Sequence, residues 1–192
     1  GSWHVMGVTQ AAGLSLRWMR DEFCVIDSVM ARRMDKDPYE LMGEEAGRAA
    51  AGCQGLLFLP YLMGERAPHL DPKAKGVFFG LSGAHNRGDM IRAVMEGVGY
   101  SLRDCLGIIR ELGVPVEEIR VSGGGARSPL WRQIQADMFH MPVHTTNSSE
   151  GPALGVALLA GVGAGLYASV PEACDAAVSC VASQGPDAGN SR

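Results

Sequence analysis

With 192 residues, 46% of them hydrophobic and 20% charged, the chain has the make-up of a globular domain that can bury one sizeable core. Its net charge of −4, with no run of lysine or arginine, excludes the basic stripe of a nucleic-acid binder and the polybasic segment of a membrane-surface protein. The five cysteines, at 24, 53, 105, 174 and 180, are odd in number and never spaced C-x-x-C, which suits a reducing, cytoplasmic setting better than a disulfide framework. Twenty-six glycines point to tight turns and close backbone contacts.

In chain order, Gly1-Ser2 reads as the scar of a protease cleavage and is set aside. Trp3–Thr9 reads as a short strand. Gln10–Phe23 reads as an amphipathic helix with Leu14 and Trp18 on its apolar side and charges at Arg17, Arg20, Asp21 and Glu22. Residues 35–52 are polar and alanine-rich, and Asp37-Pro38 is a helix start. Two apolar runs of strand length follow, 55–60 and 76–81, joined by a loop that carries Gly64, Glu65 and Arg66. The spacing of Ile91, Val94, Met95, Val98, Leu102, Cys105 and Ile109 predicts a helix over Asp89–Leu112, capped by Asp89 and closed at Gly113.

Val116–Ser122 reads as a buried strand that runs into Gly123-Gly124-Gly125, and Ser128-Pro129 opens a further helix with Trp131, Ile134 and Met138 on one side. Pro142–Thr145 suits a short strand, and a small-residue helix begins at Ser149 or Glu150. The uncharged run Gly151–Pro171 is long enough to cross a membrane, but Pro152 near its start and Gly161, Gly163 and Gly165 near its end favour a buried, glycine-packed helix and turn. Residues 183–192 are polar and read as a flexible, frayed tail. Strands alternating with helices indicate an α/β layered domain with a partly parallel sheet.

Two places could carry chemistry. The turn Gly123-Gly124-Gly125-Ala126-Arg127-Ser128 follows a strand and opens a helix, so a flat or anionic ligand could lie on bare backbone beside free N–H groups. It lacks the third glycine of a dinucleotide fingerprint and the Gly-Lys-Ser/Thr of a Walker loop, and a plain strand–helix turn remains the alternative. Glu65 and Arg66 either line a cleft or form an ion pair that pins a loop. His140 and His144 are separated by Pro142 and do not share a helix face, so no metal site is expected. Serine, histidine and aspartate show no spacing that supports a hydrolase triad.

Residues 76–96, with G-V-F-F-G-L, seven residues and then D-M-I-R-A-V-M-E, resemble the second signature of the FGGY carbohydrate kinases. The stretches F-L-P-Y-L-M-G-E-R-A-P-H-L-D-P (58–72), G-G-G-A-R-S-P-L-W-R-Q (123–133) and G-P-A-L-G-V-A (151–157) are similar to the xylulokinase branch, with the register kept from Trp3 to about Val178. The resemblance implies a ribonuclease-H-like, actin-like ATPase domain with a mixed sheet flanked by helices. It makes residues 3–182 the C-terminal, nucleotide-binding half of a two-domain kinase. Gly123, Gly124, Gly125, Arg127 and Ser128 then belong to the family's adenosine motif, and Gly83 lies near a second nucleotide-contacting position.

The resemblance also implies ATP as phosphoryl donor with Mg²⁺, and a sugar bound through an N-terminal domain. D-xylulose is the expected sugar; glycerol, ribulose and gluconate are alternatives, as is a non-catalytic actin-like nucleotide-binding module. The family's catalytic aspartate and phosphate hairpins fall upstream of Gly1, so no catalytic residue is expected here and the chain alone is expected to be inactive. The family's final C-terminal helix also has no counterpart. Neither nucleic acid nor membrane is an expected partner, and a homodimer stays open.

Overall fold

The computed structural model describes residues 4–149 and 151–190, so the expectations for Gly1, Ser2, Trp3, Glu150 and the last two residues of the tail lie outside the described residues. The described chain divides into two compact units, one ending at Val116 and one beginning at Glu117.

The first unit holds helices α1 (Ala12–Phe23), α2 (Val25–Met34), α3 (Pro38–Ala46) and α4 (Arg87–Glu111), with a ribbon of β1 (Leu57–Leu59) and β2 (Val77–Phe79). The ribbon is antiparallel, pairing Leu57 with Phe79 and Leu59 with Val77. Phe58 is buried between Trp18 and Phe78, at ring-centroid distances of 6.2 and 4.7 Å. α4 is the spine. Ile91, Val94, Met95 and Val98 are each at most 2% exposed. A Cβ at Gly97 would lie 2.1 Å from the Phe58 carbonyl oxygen, so β1 and α4 meet backbone to backbone there.

Asn86, not Asp89, caps α4: its side chain accepts from Asp89 N at 3.2 Å while Asp89 Oδ2 accepts from Asn86 N at 2.9 Å. Asp89 thus occupies the third helical position of a capping box, because both orphan amides are met only in that register. At the other end Gly113, at φ 76°, donates to Arg110 O, and Val114 donates to Ile109 O, a Schellman closure. Asp37 caps α3 through Tyr39 N at 2.9 Å. The buried pair Arg92–Glu96 (2.7 Å) reaches back to the loop before β1, where Glu96 accepts from Gly52 N and Arg92 donates to Ala49 O.

Three further differences from the sequence reading lie in this unit. Residues 4–9 form no strand; among the described residues their one backbone bond to another segment is Val8 O to Ala67 N, too little for a ladder. The inner face of α1 is Ser15, Leu16 and Met19, while Leu14 is 39% exposed. Helix α2 was not anticipated, because its pattern is inverted: Asp27 and Ala31 face inward while Ile26, Met30 and Met34 face out. Asp27 is held inside by Arg87, at 2.7 Å, and Arg87 also binds Glu45.

The second unit contains β3 (Ile119–Val121), α5 (Pro129–Phe139), β4 (Val143–Thr146), α6 (Gly151–Gly163), α7 (Val170–Ala177) and β5 (Cys180–Gln184). The sheet order is β3-β4-β5, parallel in the first pair and antiparallel in the second. Trp131, Ile134, Ala136 and Phe139 of α5 are buried, as is Val143 of β4.

α6 is less buried than its composition suggests: Leu158 and Gly161 are inside, but Val156 and Leu159 are 67% and 59% exposed. No described helix is long and apolar enough to cross a membrane. The polar stretch from 183 is not without partners. β5 extends to Gln184, Asp187 N and Asn190 Nδ2 donate to the Asp137 carboxylate, and Gln133 donates to Gly185 O.

Candidate nucleotide-binding turn

Because β3 and β4 run parallel, the two segments that leave their carboxyl ends emerge side by side, the usual place for a ligand in an open α/β sheet. One is the glycine turn; the other leads into α6. Their proximity shows at Gly151, where a Cβ would lie 3.1 Å from Ser122 Oγ.

The turn's three glycines are there for different reasons. Gly123 sits at φ 78°, ψ −171°, a region essentially restricted to glycine. Gly124–Arg127 then form a short 3₁₀ turn, closed by Ala126 N to Gly123 O and Ser128 N to Gly125 O, both 3.2 Å. A Cβ at Gly125 would make an ordinary 3.7 Å contact with the Trp131 ring. Gly124 has no positive φ, and a Cβ there would meet nothing within 4 Å. The backbone penalty for replacing a glycine in this turn therefore falls on Gly123, and the surface above Gly124 is open.

Ser128 closes the turn and caps α5, accepting from Trp131 N at 3.2 Å. Its hydroxyl proton is left free to donate elsewhere. Among the described residues the Arg127 side chain makes no hydrogen bond or ion pair, and it is exposed. Arg132 instead ties the turn down, donating to Ala126 O at 2.6 Å and Arg127 O at 3.3 Å.

Sequence reasoning passed over Ser122, Arg132 and Asn147. Asn147 exchanges three hydrogen bonds with Ala177 and Ser179 and so fixes the exit from β4. Arg132 could have been found from its place four residues after the cap, one helical turn on and facing the turn's carbonyls.

Gly83 lies in the first unit, on an exposed loop between β2 and α4. A Cβ there would meet nothing within 4 Å, and the loop is shaped by Ser82 N and Oγ against His85 Nδ1 at 2.9 and 3.1 Å. Glu65 and Arg66 do not form the ion pair considered from sequence. Glu65 is 2% exposed, and its Oε1 accepts from Gln10 N (2.8 Å) and Arg66 N (2.7 Å), while the Arg66 side chain is solvent-exposed. The buried carboxylate is met by these two backbone amides, while the neighbouring guanidinium extends into solvent. Glu65 braces the segment before α1 and the loop after β1 against each other. No group of three or more His, Cys, Asp or Glu side chains gathers as a metal site among the described residues.

A mixed α/β architecture with an open glycine turn beyond parallel strands defines a domain of the actin-like ATPase fold, the fold of the sugar kinases it superposes on. Residues 1–164 match the model of the FGGY family of carbohydrate kinases, C-terminal domain, and the chain belongs to that family. It is 40% identical over 173 residues to a xylulose kinase of Staphylococcus epidermidis, covering 90% of this chain and 33% of that protein. It is 42% identical over 168 residues to a gluconokinase of Bacillus subtilis, covering 87% and 32%. The ligand-bound xylulose kinase of Lactobacillus acidophilus superposes with a TM-score of 0.79 at 30% identity, over 95% of this chain and 35% of that one. The chain spans about a third of the length of the curated relatives it matches.

Proposed function

We propose that this chain supplies the nucleotide-binding part of an ATP-dependent kinase that transfers the γ-phosphoryl group to the C5 hydroxyl of D-xylulose. The observation that carries the reading is the place of the turn: Gly123–Ser128 leave the carboxyl end of β3 beside the segment that leaves the parallel strand β4, and they present bare backbone at Gly124, where a Cβ would meet nothing within 4 Å.

In this reading Gly123 sets the direction of the turn and Gly124 and Gly125 form the floor under the adenine. Ser128 donates its free hydroxyl proton to an acceptor on the nucleotide while still capping α5. Arg127 faces the ligand. ATP would supply the phosphoryl group, Mg²⁺ would offset the charge of its phosphates, and a carboxylate base would take the sugar's hydroxyl proton. The setting proposed is the cytoplasm.

A titration of the chain with ADP, followed by amide shifts, tests this. The expected changes centre on residues 123–128, and Gly124→Ala abolishes them without lowering the melting temperature, since a site with nothing within 4 Å of the new Cβ tolerates a methyl. Shifts centred on Glu65 and Arg66 with none at the turn would refute the placement.

The second reading, D-gluconate as the sugar, is supported by the gluconokinase relatives at 42% identity. A comparison of D-xylulose with D-gluconate in an ADP-release assay of a kinase containing this chain distinguishes the two. The chain by itself is expected to turn over neither; turnover in the ordinary range of roughly 1 to 1000 per second would contradict the reading.

A further inference from the structure

The first unit has a cavity of about 360 Å³ between β1 and the middle of α4. Leu57 and Leu59 line one wall, and Tyr61, Tyr100, Ser101 and Asp104 stand around the rest. Tyr100, Ser101 and Asp104 share one face of α4, since three- and four-residue steps bring side chains together on a helix.

Ser101 is 3% exposed, and its Oγ has no hydrogen-bond partner among the described residues. A serine inside a helix ordinarily bonds back to the carbonyl one turn earlier or points to water. A buried hydroxyl left unmet is a lasting penalty, relieved by a ligand that bonds to it. Asp104 makes no ion pair among the described residues. Burial, followed by the charges of Asp104 and Glu65, holds the Tyr61 phenol above its ordinary pKa. Burial, with Glu96 adding to it, does the same for Tyr100. Both rings are therefore neutral aromatic faces, with Asp104 and Glu65 acting on Tyr61 and with Glu96, opposed by Arg103, acting on Tyr100.

We propose that this cavity is a binding site for a small organic ammonium, a primary amine on an aromatic or aliphatic body. The ammonium pairs with Asp104 and donates to Ser101 Oγ. The body packs on Leu57 and Leu59, and the two tyrosine rings add cation–π attraction. The cavity lies within the usual range for small-molecule sites, at the small end. This inference does not depend on the nucleotide reading, because every residue it uses belongs to the first unit and none to the glycine turn.

The test is a titration of the chain with 2-phenylethylammonium, followed by amide shifts, with neutral 2-phenylethanol as the matched probe. Saturable shifts are expected at residues 57–61 and 97–104. The alcohol should bind about two- to fivefold more weakly, as expected for loss of one partly exposed charge pair. Asp104→Asn should weaken the ammonium by a similar factor and leave the alcohol unchanged. Ser101→Ala should weaken the ammonium several-fold without lowering the melting temperature, since it deletes a hydroxyl that has no partner. The proposal is overturned by the absence of saturable shifts into the tens of millimolar, by shifts centred elsewhere, by equal affinity for the alcohol, or by an unchanged affinity in Asp104→Asn.

Discussion

Gly97→Ala tests how closely α4 and β1 are packed. Ordinarily alanine in place of glycine inside a helix stabilises by about 1 kcal/mol. Here the new Cβ would start 2.1 Å from the Phe58 carbonyl oxygen. Reaching an ordinary contact of about 3.4 Å requires the two backbones to part by about 1.3 Å. β1 cannot move freely, because its ladder to β2 and the Trp18–Phe58–Phe78 ring cluster move with it. Overpacking of this kind costs typically 1–3 kcal/mol, and a backbone clash belongs at or above the upper end. Steric cost therefore exceeds propensity, and the net loss is about 2 kcal/mol or more.

At roughly 2–4 °C per kcal/mol for a chain of this size, the melting midpoint should fall by about 4–8 °C. Gly107→Ala is the control in the same helix. Nothing lies within 4 Å of its would-be Cβ, so propensity acts alone and the midpoint should rise by about 2–4 °C. Thermal melts by circular dichroism read both. A Gly97→Ala midpoint at or above the parent's would show that β1 and α4 are not in direct backbone contact, and the packing account would fail.

Val98→Asp places an unpaired carboxylate at a position 1% exposed and should leave the first unit unfolded at 25 °C; a parent-like melt would remove Val98 from the core. In the native chain at pH 8, iodoacetamide should label Cys180 first, while Cys24, Cys53 and Cys105 stay unlabelled. Those three are buried, and burial is the chief cause that raises their thiol pKa values, for Cys24 to about 11. Mass-mapped labelling of Cys24 ahead of Cys180 would contradict this. Because the folded thiols hold their protons where the unfolded ones ionise, their contribution to stability is complete below about pH 9 and declines as pH rises through about 11. Urea midpoints measured across that window should fall, and Cys24→Ala should soften the fall.

Local chemistry was legible without any tertiary contact. The caps at Asp37 and Ser128, the closure at Gly113 and the apolar stripe of α4 each depend on a few neighbouring residues, and each forms at or within a turn of its expected place. The glycine turn also stands between a strand and a helix, as its sequence indicates. What the sequence could not express were choices made between distant segments. Asp27 faces inward because Arg87, sixty residues on, meets it there; that single ion pair inverts the pattern of α2 and hides the helix from periodicity. Glu65 became a brace rather than half of an ion pair because Gln10 N arrives beside it. Residues 4–9 have a strand's composition but no neighbour for a ladder among the described residues, while the polar residues 183 and 184 enter a strand because β4 offers its edge. The different roles of Gly123 and Gly124, one fixed by its backbone angle and the other by the open space above it, also had to wait for the fold, since three identical letters carry neither dihedral angles nor neighbours.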